Sequence, residues 1–132
     1  LPWQQTPISW SDSYGTGKSV RFGDLDLDGM AEIVFSCENA NSRYGVGRLT
    51  PTAIGASAKT PLPGREGKGE GRSSNGLTLW SPQPINGTAG GKFDLVQLLD
   101  LDADGDLDVI TTEESVNLGV VWYENPAVES EP

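Results

Sequence analysis

Histidine is absent from this chain of 132 residues, and cysteine and methionine each occur once. Without histidine, neither a Ser-His-Asp unit nor a Cys-His pair can assemble within the chain. The single cysteine, Cys37, allows no intrachain disulfide, and it leaves no zinc site of the usual nitrogen and sulfur kind. Cys37 reads as a small buried residue on a strand Ile33–Cys37, with an interchain bridge or a reactive thiol as the alternative. Basic residues are scarce: nine Lys and Arg stand against nineteen Asp and Glu, for a net charge of −10. No basic face is available for nucleic acid, and none is expected as a partner. No apolar run approaches the length of a membrane-spanning helix, so no membrane span is expected. Neither an initiating Met nor a signal peptide opens the sequence, the pattern expected of a mature secreted chain or of a fragment of a longer one.

Seventeen Gly and nine Pro, with only 36% apolar residues, favour a loop-rich, all-β protein over a helical one. Within it, Asp100–Asp108 reads DLDADGDLD and Asp24–Glu32 reads DLDLDGMAE. Aligned without gaps, at an offset of 76 residues, both place carboxylates at loop positions 1, 3, 5 and 9 and glycine at 6. Hard oxygen donors at this density suit Ca²⁺, which takes six to eight of them in flexible geometry. The glycine permits the sharp turn that lets alternate side chains converge. The expected ligands are the side chains of Asp24, Asp26, Asp28 and Glu32 with the Met30 carbonyl. In the second loop they are Asp100, Asp102, Asp104 and Asp108 with the Asp106 carbonyl. Two Ca²⁺ sites are expected, the second the tighter because its acidic set is complete. The ordinary alternative is a pair of acidic, solvated turns.

The flanks distinguish these loops from EF-hands, which require helices on both sides and an acid at position 12. Here that position holds Phe35 or Thr111, and the flanks Ser19–Phe22, Ile33–Phe35, Phe93–Leu99 and Leu107–Thr112 read as short strands. The two loops hold nine of the nineteen acids. Without metal, each loop crowds like charges together.

Repetition extends beyond the loops. Leu1–Ser9 (LPWQQTPIS) matches Thr78–Asn86 (TLWSPQPIN), pairing Trp3 with Trp80, Pro7 with Pro84 and Ile8 with Ile85. Gly45–Leu49 (GVGRL) matches Gly119–Tyr123 (GVVWY). The repeat unit reads as edge strand, turn, inner strand, Asp-rich loop, second strand, turn and third strand. The expected organisation is a first repeat with its preceding edge strand over residues 1–49 and a basic insertion rich in Gly, Pro and Ser over 50–76. A second repeat follows over 77–126, then an acidic, frayed tail over 127–132. The insertion reads as a solvated loop or as an arm contacting a neighbouring subunit.

The loops, their strands and Gly119–Pro126 (GVVWYENP) resemble the FG-GAP/VCBS repeats of calcium-bearing β-propellers. The resemblance implies two four-stranded propeller-type blades with Asp-rich calcium loops between strands. It further implies a secreted, extracellular or cell-surface protein. A non-enzymatic module is expected, serving adhesion, ligand binding or subunit assembly, with strands completed between chains into a ring or filament. The alternative is a set of C-terminal or accessory blades of a larger secreted enzyme or lectin. Partners are then other copies of the chain or the remaining blades of a parent chain, with carbohydrate as a further candidate.

Other residues invite roles. Trp3, Trp80 and Trp122 sit at repeat-matched or strand positions and are expected to pack between blades. Trp10 lacks a matching Trp and is the better ligand candidate. Glu113 and Glu114, with Glu38 in the first repeat, read as solvated strand-end charges rather than a catalytic pair, because nothing sets a separation across a cleft. Asn86-Gly87-Thr88 is a glycosylation sequon, expected to stay bare in a bacterial protein.

Overall fold

The computed structural model describes residues 2–8, 10–53 and 78–128. Among them the chain is all-β, with seven strands in two antiparallel sheets. The first sheet orders β1 (Thr16–Gly23), β2 (Glu32–Glu38), β3 (Val46–Ala53) and β4 (Thr78–Pro84) as a simple meander. The second orders β5 (Gln97–Leu99), β6 (Asp108–Glu113) and β7 (Gly119–Tyr123) in the same way. A 3-10 turn, Pro126–Val128, follows. The described strands do not close into a ring or barrel.

β2 shows why the sheets lie together. Its sequence EIVFSCE puts Ile33, Phe35 and Cys37 on one face and Glu32, Val34 and Ser36 on the other, and all six are buried. A strand buried on both faces needs a layer on each. Val34 faces the second sheet and joins Leu25, Val46, Phe93, Val96 and Val109 in one core. Ile33, Phe35 and Cys37 face the other way, with Tyr14 and Leu49, partly covered by Tyr44 and Trp80. Phe93 is the central wedge between the sheets. It is fully buried, and its ring leaves so little room that a Cβ on Gly45 would lie 2.2 Å from it. Burying a Phe side chain contributes about 1.5–3 kcal/mol. Hydrogen bonds from Phe93 N to Cys37 O (2.9 Å) and Ala40 N to Gly91 O (2.8 Å) fasten the same seam. A Lys18–Asp94 ion pair spans it at the surface.

The strand registers of the two sheets match position for position. Ile33 pairs with Leu49, and Val109 with Tyr123. Ser36 pairs with Val46, and Thr112 with Val120. Gly17 opposes Cys37, as Phe93 opposes Glu113.

Several expectations need correction. Thr78–Pro84 does not open the second repeat; it pairs with β3 as the fourth strand of the first sheet. The partner across the hairpin is close at hand, and Pro82 and Pro84 are tolerated on this outer strand. The boundary therefore falls after β4 rather than at residue 77, and the sheets have four and three strands rather than four each. Residues 50–53 are not loop but the end of β3, paired to Thr78–Ser81; residues 54–76 of the insertion lie outside the described residues. Pro2–Ile8 is exposed and forms no strand. Trp3 is fully exposed and Trp122 is 44% exposed, so of the three matched tryptophans only Trp80 packs against a core. Of the tail, Val128 is held by a hydrogen bond from its N–H to Asp106 Oδ2 (2.8 Å), whereas 129–132 lie outside the described residues.

Candidate metal centres

The two Asp-rich loops connect β1 to β2 and β5 to β6 and share one pattern of backbone hydrogen bonds. Each first Asp accepts from the backbone across its loop. Asp24 Oδ1 takes the Asp28 N–H at 3.1 Å, and Asp100 Oδ1 takes the Asp104 N–H at 3.1 Å. Asp24 Oδ2 takes Gly29 N–H at 2.9 Å, and Asp100 Oδ2 takes Gly105 N–H at 3.1 Å. Asp26 and Asp102 accept from the same fifth-position N–H at 3.3 Å in both loops. Asp28 and Asp104 accept from Met30 N–H and Asp106 N–H.

The backbone bends at matched points. Leu27 and Ala103 take φ of 61° and 65°, and Gly29 and Gly105 take 89° and 106°. The left-handed turn at the glycines is what a side chain would resist. Two such turns curl each loop so that side chains two residues apart point to one centre.

The convergence differs between loops. In the first, Asp24, Asp26, Asp28 and Glu32 bring carboxylate oxygens within 4.8 Å of one another. In the second, Asp100, Asp102 and Asp104 do so, and Asp108 is outside the group. Glu32 and Asp108 sit at the same strand position and both accept an N–H from within the loop, Leu25 at 2.7 Å and Leu101 at 3.1 Å. Asp108 spends its other oxygen on the Asn125 N–H at 2.8 Å. Glu32 is one methylene longer, fully buried, and its Oε1 has no partner among the described residues. A buried oxygen of this kind is costly unless something satisfies it, and a cation beside the three aspartates would do so. The donor set, oxygen only and densely acidic, fits Ca²⁺.

Burial pushes the Glu32 carboxyl above its ordinary value, the Leu25 N–H opposes this, and the Asp26 and Asp28 charges add to it. Burial also raises Asp102, helped by the charge of Asp104. The Met30 side chain is exposed, whereas the Asp106 side chain is buried and accepts the Val128 N–H.

Residues read differently from the sequence complete the picture. Glu113 is buried, not solvated. Its carboxylate accepts the N–H groups of Gly91 (3.0 Å), Lys92 (3.3 Å), Ser115 (2.9 Å), Val116 (3.1 Å) and Leu118 (3.3 Å), and the Ser115 hydroxyl. Burial alone would raise its pKa, but these donors win and hold it well below the usual carboxylate range. Glu113 thus organises two turns. Glu114 pairs with Lys92 at the surface. Trp10 packs against Phe35 with the rings tilted and centroids 4.7 Å apart, and donates its indole N–H to Gly15 O at 3.0 Å, which is a structural role. Asn86 is buried, its Oδ1 accepting from Gly45 N–H (3.1 Å) and Val46 N–H (2.9 Å), so its sequon is no exposed acceptor.

Asn125, not singled out by the sequence reading, lies between the loops and donates to Leu25 O (2.7 Å) and Leu107 O (3.0 Å). Its only sequence signal was an Asn-Pro pair after a strand, the mark of an ordinary turn. Beside it, a cavity of about 580 Å³ opens between the end of β4 and β7, with Arg48, Gln83, Trp122 and Tyr123 among its lining residues.

Comparison with family models, with curated proteins and with solved structures yields no match.

Proposed function

We propose that this chain is a calcium-stabilised β-propeller-type repeat module of the FG-GAP/VCBS kind, extracellular and non-enzymatic, serving adhesion, ligand binding or subunit assembly. The observation that carries the reading is the identity of the two loops. Same-position carboxylates make the same backbone hydrogen bonds around the same pair of left-handed residues, between equivalent strands of repeated sheets. A ligand shared by both loops would give each reason to keep this arrangement of carboxylates. The four-stranded meander of the first sheet and the three strands of the second support the blade reading.

The metal would hold each loop closed by relieving repulsion among its carboxylates, and so couple the loop to its two strands. Calorimetric titration of the metal-free chain with CaCl₂ tests this. Two binding events at sub-millimolar to millimolar affinity are expected, as for extracellular modules. No heat and an unchanged melting temperature on adding chelator would dispose of the calcium reading.

A further inference from the structure

The geometry points to a second copy of this chain as the partner of the three-stranded sheet: its Pro2–Ile8 segment pairs with the open edge of β7 while its first sheet stacks on the exposed face of the second sheet. This rests on the repeat reading above but not on its calcium.

The internal interface is the template. Where the first sheet meets the second, Val34 and Val46 pack against Val96 and Val109, with Leu98 partly buried beside them. The strand registers put Ile110 and Val120 at the positions of Val34 and Val46, and the 76-residue offset puts Val20 and Phe22 at those of Val96 and Leu98. So the second sheet repeats, on its far face, the surface with which the first sheet binds it. The first sheet repeats, on its own far face, the surface that receives it. Among the described residues both far faces keep large apolar side chains exposed: Val120 is 75% exposed and Phe22 66%, although Trp10, Tyr14 and Tyr44 cover part of the first sheet's face. Trp122, opposite Ile110, extends the same apolar face. Applying the internal operation once more sets these exposed apolar side chains against each other.

The missing strand arrives by the same operation. In the chain, β4 pairs with β3 of the first sheet and then runs directly into the second sheet. Its sequence counterpart, Pro2–Ile8, runs directly into the first sheet, so it belongs with the third strand of whatever sheet precedes the first. Its own β7 lies on the opposite side of the molecule in that order; the β7 of another copy does not. The register follows from β4. Gly47 pairs with Pro84, Arg48 with Gln83 and Leu49 with Pro82. Hence Val121 pairs with Pro7, Trp122 with Thr6 and Tyr123 with Gln5 in the added strand. Prolines fall on the outer strand in both cases, where a missing N–H is tolerated. Backbone pairing of an extended segment onto a free edge supplies affinity and register together. A free edge bearing Val120 and Trp122 is otherwise a liability. The contact is head-to-tail, so copies add to a ring or a helical filament according to the rotation per copy.

Sedimentation velocity of the chain from micromolar to millimolar concentration tests the proposal. Species of several monomer masses are expected, growing with concentration. A chain lacking residues 1–9, and separately Val120→Lys, should weaken association by about tenfold or more, with the circular dichroism spectrum kept. Adding the free peptide of residues 1–9 should cap the assemblies. A monomer throughout the range overturns the proposal, as does association that survives both changes. Calcium titration of the same variants separates the two readings: they should bind Ca²⁺ as the unaltered chain does, so loss of assembly with calcium binding intact, or the reverse, assigns any failure to one of them.

Discussion

Asn125 donates its side-chain amide to the carbonyl of Leu25 at 2.7 Å, across one hundred residues of chain. The same amide nitrogen reaches Leu107 O, and the Asn125 backbone N–H caps Asp108. One side chain thus ties the second position of the first acidic loop to the exit of the second. The two candidate metal centres are mechanically joined at the seam between sheets, so ordering one loop restrains a wall of the other.

Removing that tie should be costly. Asn125→Ala leaves two partly buried carbonyls without their donor, at about 1–3 kcal/mol. Urea unfolding of the calcium-loaded chain should show a lower midpoint with an unchanged slope. A midpoint equal to that of the unaltered chain would mean that the bridge contributes nothing.

The loops should differ in affinity, and in the order opposite to the sequence expectation. Four carboxylates converge in the first loop and three in the second, because Asp108 is short and held by Asn125 while Glu32 reaches in with a free oxygen. The pair Asp24→Ala and Asp26→Ala should remove the tighter calorimetric event, and Asp100→Ala with Asp102→Ala the weaker one. Saturation at a hundred times the dissociation constant should stabilise the native state by roughly 2.7 kcal/mol per site. If the Asp100 and Asp102 changes abolish the tighter event, the assignment is reversed.

Glu113 makes stability depend on pH in a defined direction. Against the opposing effect of burial, its folded-state pKa is depressed from an ordinary 4.5 by the Ser115 hydroxyl and by the backbone N–H groups that donate to it. The stabilisation is therefore fully present above that value and fades as pH falls through and below it. Glu113→Gln should lower stability by about 2 kcal/mol at neutral pH. The gap between the two proteins should close as the solution is acidified below pH 4. A gap constant from pH 7 to pH 3 would show that the charge is immaterial.

Cys37 should be silent in the native protein. It is fully buried among Ile33, Phe35 and Tyr14, and burial pushes its thiol up to about 11. Thiolate is the reactive form. A disulfide reagent at pH 8 should label it only as fast as the chain unfolds, with a large acceleration in urea. Prompt labelling of the folded chain would place the thiol at an accessible surface.

The sequence by itself determined the local chemistry. Spacing of Asp and Gly in the two loops was enough to foresee that Asp24, Asp26, Asp28 and Glu32 would converge, because a loop of nine residues turning at a glycine leaves alternate side chains few other places to point. Apolar β-branched flanks were enough for strands on both sides of each loop. Tertiary structure alone decided everything that depends on which segment lies beside which. β4 was assigned to the wrong sheet because an edge strand's sequence does not say which of its two neighbours it joins; the pairing is a matter of chain path and available edge. Asp108 and Glu32 look interchangeable in a motif and are separated by Asn125, seventeen residues beyond the first and ninety-three beyond the second. Glu113 reads as a solvated charge until two turns close over it and present five backbone N–H groups to one carboxylate. In each case the deciding partner is remote in sequence, and burial makes the remote partner obligatory, since a charge or an open carbonyl removed from water must be answered by whatever the fold brings there.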